Sequence, residues 1–207
     1  MIPAKHTWLA QSLFKVFVPG IITYHFRDFI IEEMPAIQAD RPLLILANHF
    51  SWWDGFTHYY LNMHYLQKRF HVMMLEEELK KRLFLRNVGA FSVNRGRKEV
   101  LTSLQYAGEI LQKPDHMLLL FPTGQLQTLY AATFPFQKGL GRILEKAPAN
   151  LQVLFSFILP EYGPYPRPAL HAYLRVHEQS RPDLSALEQA FQEAYQDVVA
   201  KQFQRVA

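Results

Sequence analysis

The chain has 207 residues and no cysteine. That absence removes disulfides, thiolate metal sites and a cysteine nucleophile together, and it fits a reducing compartment. Charged residues are scarce at 19%, against 49% hydrophobic, which is the composition of a folded domain rather than a disordered one. No uninterrupted apolar run reaches the roughly 20 residues that a membrane-spanning helix needs. The nearest approach, Trp8 to Ile31, is broken by Lys15, Pro19, His25, Arg27 and Asp28. A secretory signal is not expected, because Lys15 splits the apolar core and no small-residue cleavage site follows. Internal repeats, low-complexity tracts and recognisable nucleic-acid modules are missing too, so no nucleic-acid partner is expected.

What is present begins with a length that suits one domain with a sizeable core. Aromatic residues make up 14%, with 16 Phe and 10 Tyr. The net charge of +4 and a pI near 9.2 favour anionic partners such as phosphorylated metabolites or lipid headgroups. Seven of the 22 basic residues fall between Lys80 and Lys98 with no acidic residue among them. Near the N-terminus the pattern predicts two short amphipathic helices meeting at Pro19-Gly20, with Phe14, Phe17, Val18, Ile21 and Ile22 on one side. Such a face can lie in a membrane interface or pack on the core, and the sequence does not separate the two. Residues 1–35 are therefore set apart as an amphipathic membrane-associating segment, and 36–207 as the body.

Along the body, Leu43–Ala47, His71–Leu75, Phe91–Val93, Met117–Phe121, Gln152–Leu159 and Ala169–Val176 read as strands. Helices are expected from Trp53 to about Tyr65, from Glu76 to Arg86, through Val100, Leu104 and Leu111, and from Pro182 onward. Pro160 to Pro168 holds four prolines in nine positions and reads as loop. Strands alternating with helices indicate an α/β domain with a largely parallel central sheet flanked by helices. Ligands of such sheets sit beyond the carboxyl ends of the strands. His49 and Pro122–Gly124 both follow strands directly, so both fall at that edge.

The stretch NHFSWWDG, residues 48–55, carries the first chemistry. Ser51-x-x-Asp54 is a capping box that opens a helix. His49 stands just before the cap, where the Asp54 carboxylate can accept a hydrogen bond from one ring nitrogen. The other nitrogen is then left as a base of fixed tautomer, suited to taking a proton from a hydroxyl near neutral pH. His49, Asp54 and His58 also form a conceivable metal trio, since Asp54 and His58 are one helical turn apart. Their spacing matches no familiar zinc pattern, and no metal or other cofactor is expected.

Other blocks follow in a telling order. Asn48-His49…Asp54 resembles the first block, N-H-x-x-x-x-D, of the glycerolipid (1-acylglycerol-3-phosphate) acyltransferase family. Gly89-Ala90-Phe91-Ser92-Val93-Asn94-Arg95 is similar to its second block, Phe121-Pro122-Thr123-Gly124 to its third, and Phe136-Gln137-Lys138-Gly139 to the F-x-K-G stretch after it. The aliphatic strand closed by Leu159-Pro160 resembles the fourth. Together the blocks span about Leu43 to Pro160. The resemblance implies an O-acyltransferase in which His49 deprotonates an acceptor hydroxyl and Asp54 orients the ring. The hydroxyl then attacks the thioester of acyl-CoA or acyl-carrier protein directly, without a covalent enzyme intermediate. The resemblance also implies that Arg95 binds an anionic group of the acceptor, that N–H groups near Gly124 meet the oxyanion, and that Asn48, Ser51, Thr123 and Lys138 line the substrates' path. It further implies a peripheral place on the cytoplasmic face of a membrane.

The third block departs from the family's usual F-P-E-G-T-R. Here it reads Phe121-Pro122-Thr123-Gly124-Gln125-Leu126, without the glutamate and the arginine. A hydroxyl and an amide suit neutral acceptor hydroxyls at less desolvation cost than a carboxylate and a guanidinium would. Met73 to Arg95 also resembles a bacterial branch that acylates glycosylated carotenoids. Lysophosphatidic acid, a non-phospholipid acceptor and a non-catalytic lipid-binding role are therefore the three readings the sequence leaves open.

Overall fold

The computed structural model describes residues 1–94, 97–177 and 183–206. Seven strands form one sheet: β1 (Phe29–Glu33), β2 (Leu43–Ala47), β3 (Arg69–Leu75), β4 (Ala90–Val93), β5 (His116–Leu120), β6 (Gln152–Glu161) and β7 (Ala169–His177). Their order across the sheet is β1-β7-β6-β2-β5-β3-β4. Every pairing is parallel except β6 with β7. The helices are α1 (Trp8–His25), α2 (Asp54–Leu61), α3 (Glu76–Lys81), α4 (Arg97–Ile110), α5 (Gly139–Lys146) and α6 (Leu184–Val206).

Central strands read as continuous apolar runs because both of their faces are covered. β2 is buried at all five positions. The alternation of a strand still sorts its side chains. Leu44 and Leu46 point into a cluster with Leu104 of α4, Ile143 of α5 and Phe191 of α6. Leu43 and Ile45 point the other way, into a cluster with Leu61 and Leu79. The result is a three-layer α/β/α body. At the amino ends of the strands, Lys68 donates from Nζ to the carbonyls of Ala39, Arg41 and Pro114 at 3.0, 2.7 and 2.9 Å, which ties three loops together.

Several expectations need correction. The N-terminal segment is one helix that runs through Pro19, not two helices meeting there. A proline inside a helix costs about 3 kcal/mol. Phe14, Val18 and Ile22, spaced by four, are buried against Phe56, Ile158 and Leu170, and burial of such side chains stabilises by roughly 1.5–3 kcal/mol each. Tertiary packing therefore outweighs the lost backbone bond, and the Thr23 hydroxyl bonds to the Pro19 carbonyl at 2.9 Å. Phe29–Glu33, inside the segment set apart for the membrane, is the edge strand β1 paired with β7. The expected helix from Glu76 to Arg86 breaks at Arg82 (φ −138°, ψ 51°) and continues as a 3₁₀ turn over Leu83–Asn87. That tightening delivers the chain to Gly89, whose φ of +109° and a would-be Cβ at 2.0 Å from the Phe70 carbonyl oxygen admit only glycine. Pro160 and Glu161, expected in a loop, extend β6. Pro182 lies outside the described residues.

Candidate active site

β2 ends at Ala47, and the next residue locks it to its neighbour. Asn48 is buried. Its amide donates to the Ile158 carbonyl and accepts from the Ile158 N–H, both at 3.1 Å, so a side chain continues the β2–β6 ladder one step further. His49 follows on this fixed base. Its Nδ1 lies 2.7 Å from Asp54 Oδ2. A carboxylate only accepts, so Nδ1 carries a proton, and in the neutral ring the lone pair is on Nε2. The same Oδ2 accepts the N–H groups of Phe50 and Ser51 at 2.8 and 3.0 Å, while Oδ1 accepts the Ser51 hydroxyl at 3.0 Å. Ser51 Oγ in turn accepts the Trp53 N–H. One buried carboxylate thus ties down the turn before α2 and aligns the imidazole. The expected capping box is not formed, because α2 starts at Asp54 with Trp53 as its N-cap and Ser51 Oγ takes the Trp53 N–H instead.

The ring is held from its other side as well. Phe121 stacks on His49 with centroids 4.0 Å apart and planes 15° from parallel. Phe121 opens the turn after β5, and β5 pairs directly with β2, so this contact follows from the sheet order. The His49 side chain remains 25% exposed, against 2% for Asp54. His49 lines a cavity of about 650 Å³, a size usual for small-molecule sites. The walls are mostly apolar, with Phe56, Met73, Leu104, Leu120 and Ile143 among them. A base at the mouth of a greasy chamber can take a proton from a hydroxyl whose apolar portion is housed alongside.

His58 does not join His49 as a ligand. Its Nδ1 donates to the Asp54 carbonyl at 2.7 Å and its Nε2 accepts from the Ser156 hydroxyl at 3.0 Å. Burial pushes its pKa below the usual value and keeps the ring neutral. It pins the first turn of α2 to β6. No group of three or more metal-ligating side chains stands together among the described residues.

The remaining expected site residues divide. Gly124 lines the cavity, but its N–H closes the turn onto the Phe121 carbonyl at 2.9 Å. Thr123 is buried, and its hydroxyl donates to the Gln125 carbonyl at 3.0 Å. Gln137 then fastens this turn by donating from its side chain to the Thr123 carbonyl and from its backbone to Pro122. Asn48 and Ser51 serve backbone geometry, as described. Lys138 is exposed just before α5, and its neighbours Gln137 and Gly139 line the cavity instead. Arg95 lies outside the described residues. Sequence reasoning missed Phe121 as a stacking partner and Trp52, Glu78 and Arg82 as wall residues. An aromatic directly after a buried strand was the available signal for Phe121. Nothing local marked the other three.

Comparison with known proteins follows the same lines. The profile of the Acyltransferase family matches residues 28–160. A 1-acyl-sn-glycerol-3-phosphate acyltransferase of Streptococcus pneumoniae (strain ATCC BAA-255 / R6) is 28% identical over 110 residues, which cover 52% of this chain and 38% of that protein. The chain thus matches well under half the length of this curated relative. The crystal structure of the 1-acyl-sn-glycerophosphate (LPA) acyltransferase PlsC from Thermotoga maritima superposes with a TM-score of 0.63 at 20% identity, covering 93% of this chain and 79% of that one. At that identity the likeness establishes the α/β fold.

Proposed function

This chain belongs to the Acyltransferase family, and from that premise we propose that it moves a fatty acyl group from an acyl-CoA or acyl-carrier-protein thioester to a hydroxyl of a lipid acceptor. One observation carries the reading: a carboxylate-oriented imidazole at the mouth of an apolar cavity. Nε2 of His49 takes the acceptor's proton as its oxygen attacks the thioester carbonyl. Asp54, held by three further donors, fixes the ring and stabilises the imidazolium that forms. Gln125 and Leu126 line the cavity beyond Gly124, and the proposal gives their N–H groups the tetrahedral oxyanion. Imidazolium then returns its proton to the leaving thiolate, and the balance closes without a covalent enzyme intermediate.

The acceptor class proposed is the lysophosphatidic acid type, on which the two named relatives act by their descriptions. A neutral acceptor remains a second reading, favoured by Thr123, Gln125 and Leu126 in place of the family's charged pair. Thr123 favours it less than its residue type suggests, because its hydroxyl is committed within the turn.

Membrane association at the cytoplasmic face, as a peripheral protein, belongs to the same proposal. No helix among the described residues is long and apolar enough to cross a membrane. While Phe14, Val18 and Ile22 of α1 pack inward, Trp8, Leu13 and Val16 of the same helix are 78%, 61% and 77% exposed. Leu83 and Phe84 extend this bare apolar area, and Phe84 lies 6.2 Å from Phe14, which itself lines the cavity. An exposed apolar patch of this kind suits a lipid surface. In this proposal the part of the cavity wall formed by Phe14 lies next to the lipid-facing patch.

The deciding experiment is thiol release from acyl-CoA with a panel of acceptors, run on wild type and His49→Ala together. Acceptor-dependent release that disappears in the variant supports the reading. Equal release from both overturns the mechanism. Vesicle sedimentation tests the membrane arm: Leu13→Glu with Val16→Glu should weaken binding to anionic vesicles about tenfold, and unchanged binding would remove α1 from that role.

A further inference from the structure

The His49 mechanism leaves one cluster at the cavity mouth unused: Trp52, Glu78 and Arg82. Glu78 and Arg82 are the charged side chains in the wall among the described residues, and Arg82 is its cation. Their place is not incidental. α3 leaves the carboxyl end of β3, and β3 pairs with β5, which pairs with β2. Arg82 therefore stands at the same sheet edge as His49, across the Phe121–Gly124 turn. Arg82 caps the end of α3 where the backbone leaves helical geometry, and its side chain reaches back one turn to Glu78. Its guanidinium sits 5.8 Å over the Trp52 ring.

The pairing around Arg82 leaves it available. Nη1 binds Glu78 Oε2 at 2.7 Å, and Lys81 Nζ binds the other oxygen, Oε1, also at 2.7 Å. Two cations share one carboxylate, so the group carries a net positive charge. If Arg82 turned to an incoming anion, Lys81 would still neutralise Glu78. Of the five guanidinium donors, those on Nε and Nη2 bind no other described residue. Beside an apolar, poorly hydrated wall, such a fork is matched to the oxygens of a phosphate in bidentate fashion.

Resting on the acyl-transfer reading, we propose that Arg82 is a specificity residue that takes a substrate phosphate at the cavity mouth, exchanging Glu78 for it while Lys81 retains Glu78. The phosphate group belongs either to the acceptor or to the donor's CoA moiety, and the test separates these sources.

Wild type, Arg82→Gln, Arg82→Lys and Glu78→Gln are compared with lysophosphatidic acid and with a monoacylglycerol of the same chain, the latter as acceptor or as competing ligand. For an acceptor phosphate, Arg82→Gln raises the KM for lysophosphatidic acid roughly tenfold to a hundredfold more than it shifts the monoacylglycerol constant. Arg82→Lys rescues only in part, because an ammonium lacks the planar fork. Glu78→Gln leaves that KM unchanged or lowers it. For a donor phosphate, Arg82→Gln raises the KM for acyl-CoA with either acceptor and leaves that for acyl-pantetheine alone. Equal effects on all substrates, or none, overturn the inference while acyl transfer stands. Wild type that releases no thiol with any acceptor overturns the acyl-transfer reading itself, and this inference with it.

Discussion

Histidines mark both ends of the sheet, and they are treated in opposite ways. At the carboxyl edge, His49 faces a carboxylate through one nitrogen and the cavity through the rest of its ring. At the amino edge, His71 and His116 stack with centroids 4.7 Å apart and share a hydrogen bond of 3.1 Å between Nε2 and Nδ1. His6 packs edge-on to His71 and bonds through Nε2 with the Phe70 carbonyl at 2.9 Å. Burial, together with the neighbouring Arg69 and Lys113, pushes the pKa of His71 to about 2 and that of His116 to about 4. Asp115 opposes the shift at His116 without overcoming burial. At one edge the side chain has a carboxylate behind it and access in front, the setting in which we propose a base; at the other it is a neutral packing piece buried among other rings.

The largest expected effect breaks the contrast at its chemical end. His49→Ala should lower acyl transfer by up to about 10⁴-fold, the upper range for losing a general base, in a protein that still folds but is about 1–3 kcal/mol less stable because buried Asp54 loses a donor. Asp54→Asn comes next, lowering turnover on the order of 10²-fold by loosening ring orientation. Because that carboxylate also accepts from Phe50 and Ser51, the variant should lose about 1–3 kcal/mol of stability as well, measurable by denaturant unfolding. A variant with intact stability but lost turnover would show that Asp54 serves the ring alone.

At the amino edge the expectation reverses. His71→Leu should leave turnover within a few-fold of wild type and change the response of stability to pH. The folded state keeps His71 and His116 neutral, whereas the unfolded chain protonates them near 6.5, so the unfolded state binds more protons as pH falls. Stability contributed by these rings is complete above about 6.5. It declines below that, by up to about 1.4 kcal/mol per pH unit for each ring, towards 4 for His116 and further for His71. Unfolding free energies at pH 7, 6 and 5 should show this slope in wild type and a shallower one in His71→Leu. Identical slopes would mean that the amino-edge rings are not the acid-sensitive element.

The smallest effect sharpens the comparison by asking what the turn beside His49 contributes. Thr123→Val removes one hydroxyl donated to Gln125 and should cost about 1 kcal/mol, with less than tenfold change in turnover. A much larger loss of turnover at intact stability would return Thr123 to direct substrate contact.

The sequence by itself made the fold class and the central strands legible, because a strand covered on both faces reads as a continuous apolar run, and Leu43–Ala47 and Met117–Leu120 do. It also determined the His49–Asp54 partnership, since five residues of separation across a strand-to-helix turn bring the two together within a single local unit. It did not show β1, where Phe29–Glu33 is only half-buried at the sheet's edge and reads like the tail of the preceding helix. It did not show α5 either, because Gly139 and Gly141 mask a helix made stable by burying Leu140 and Ile143. The continuity of α1 through Pro19 was decided by packing that local propensity opposes. Only the tertiary structure set Phe121 on the His49 ring, enclosed the cavity and brought Arg82 to its mouth. Those contacts join separate strands, and their register and order are fixed by the whole sheet rather than by any stretch of the chain.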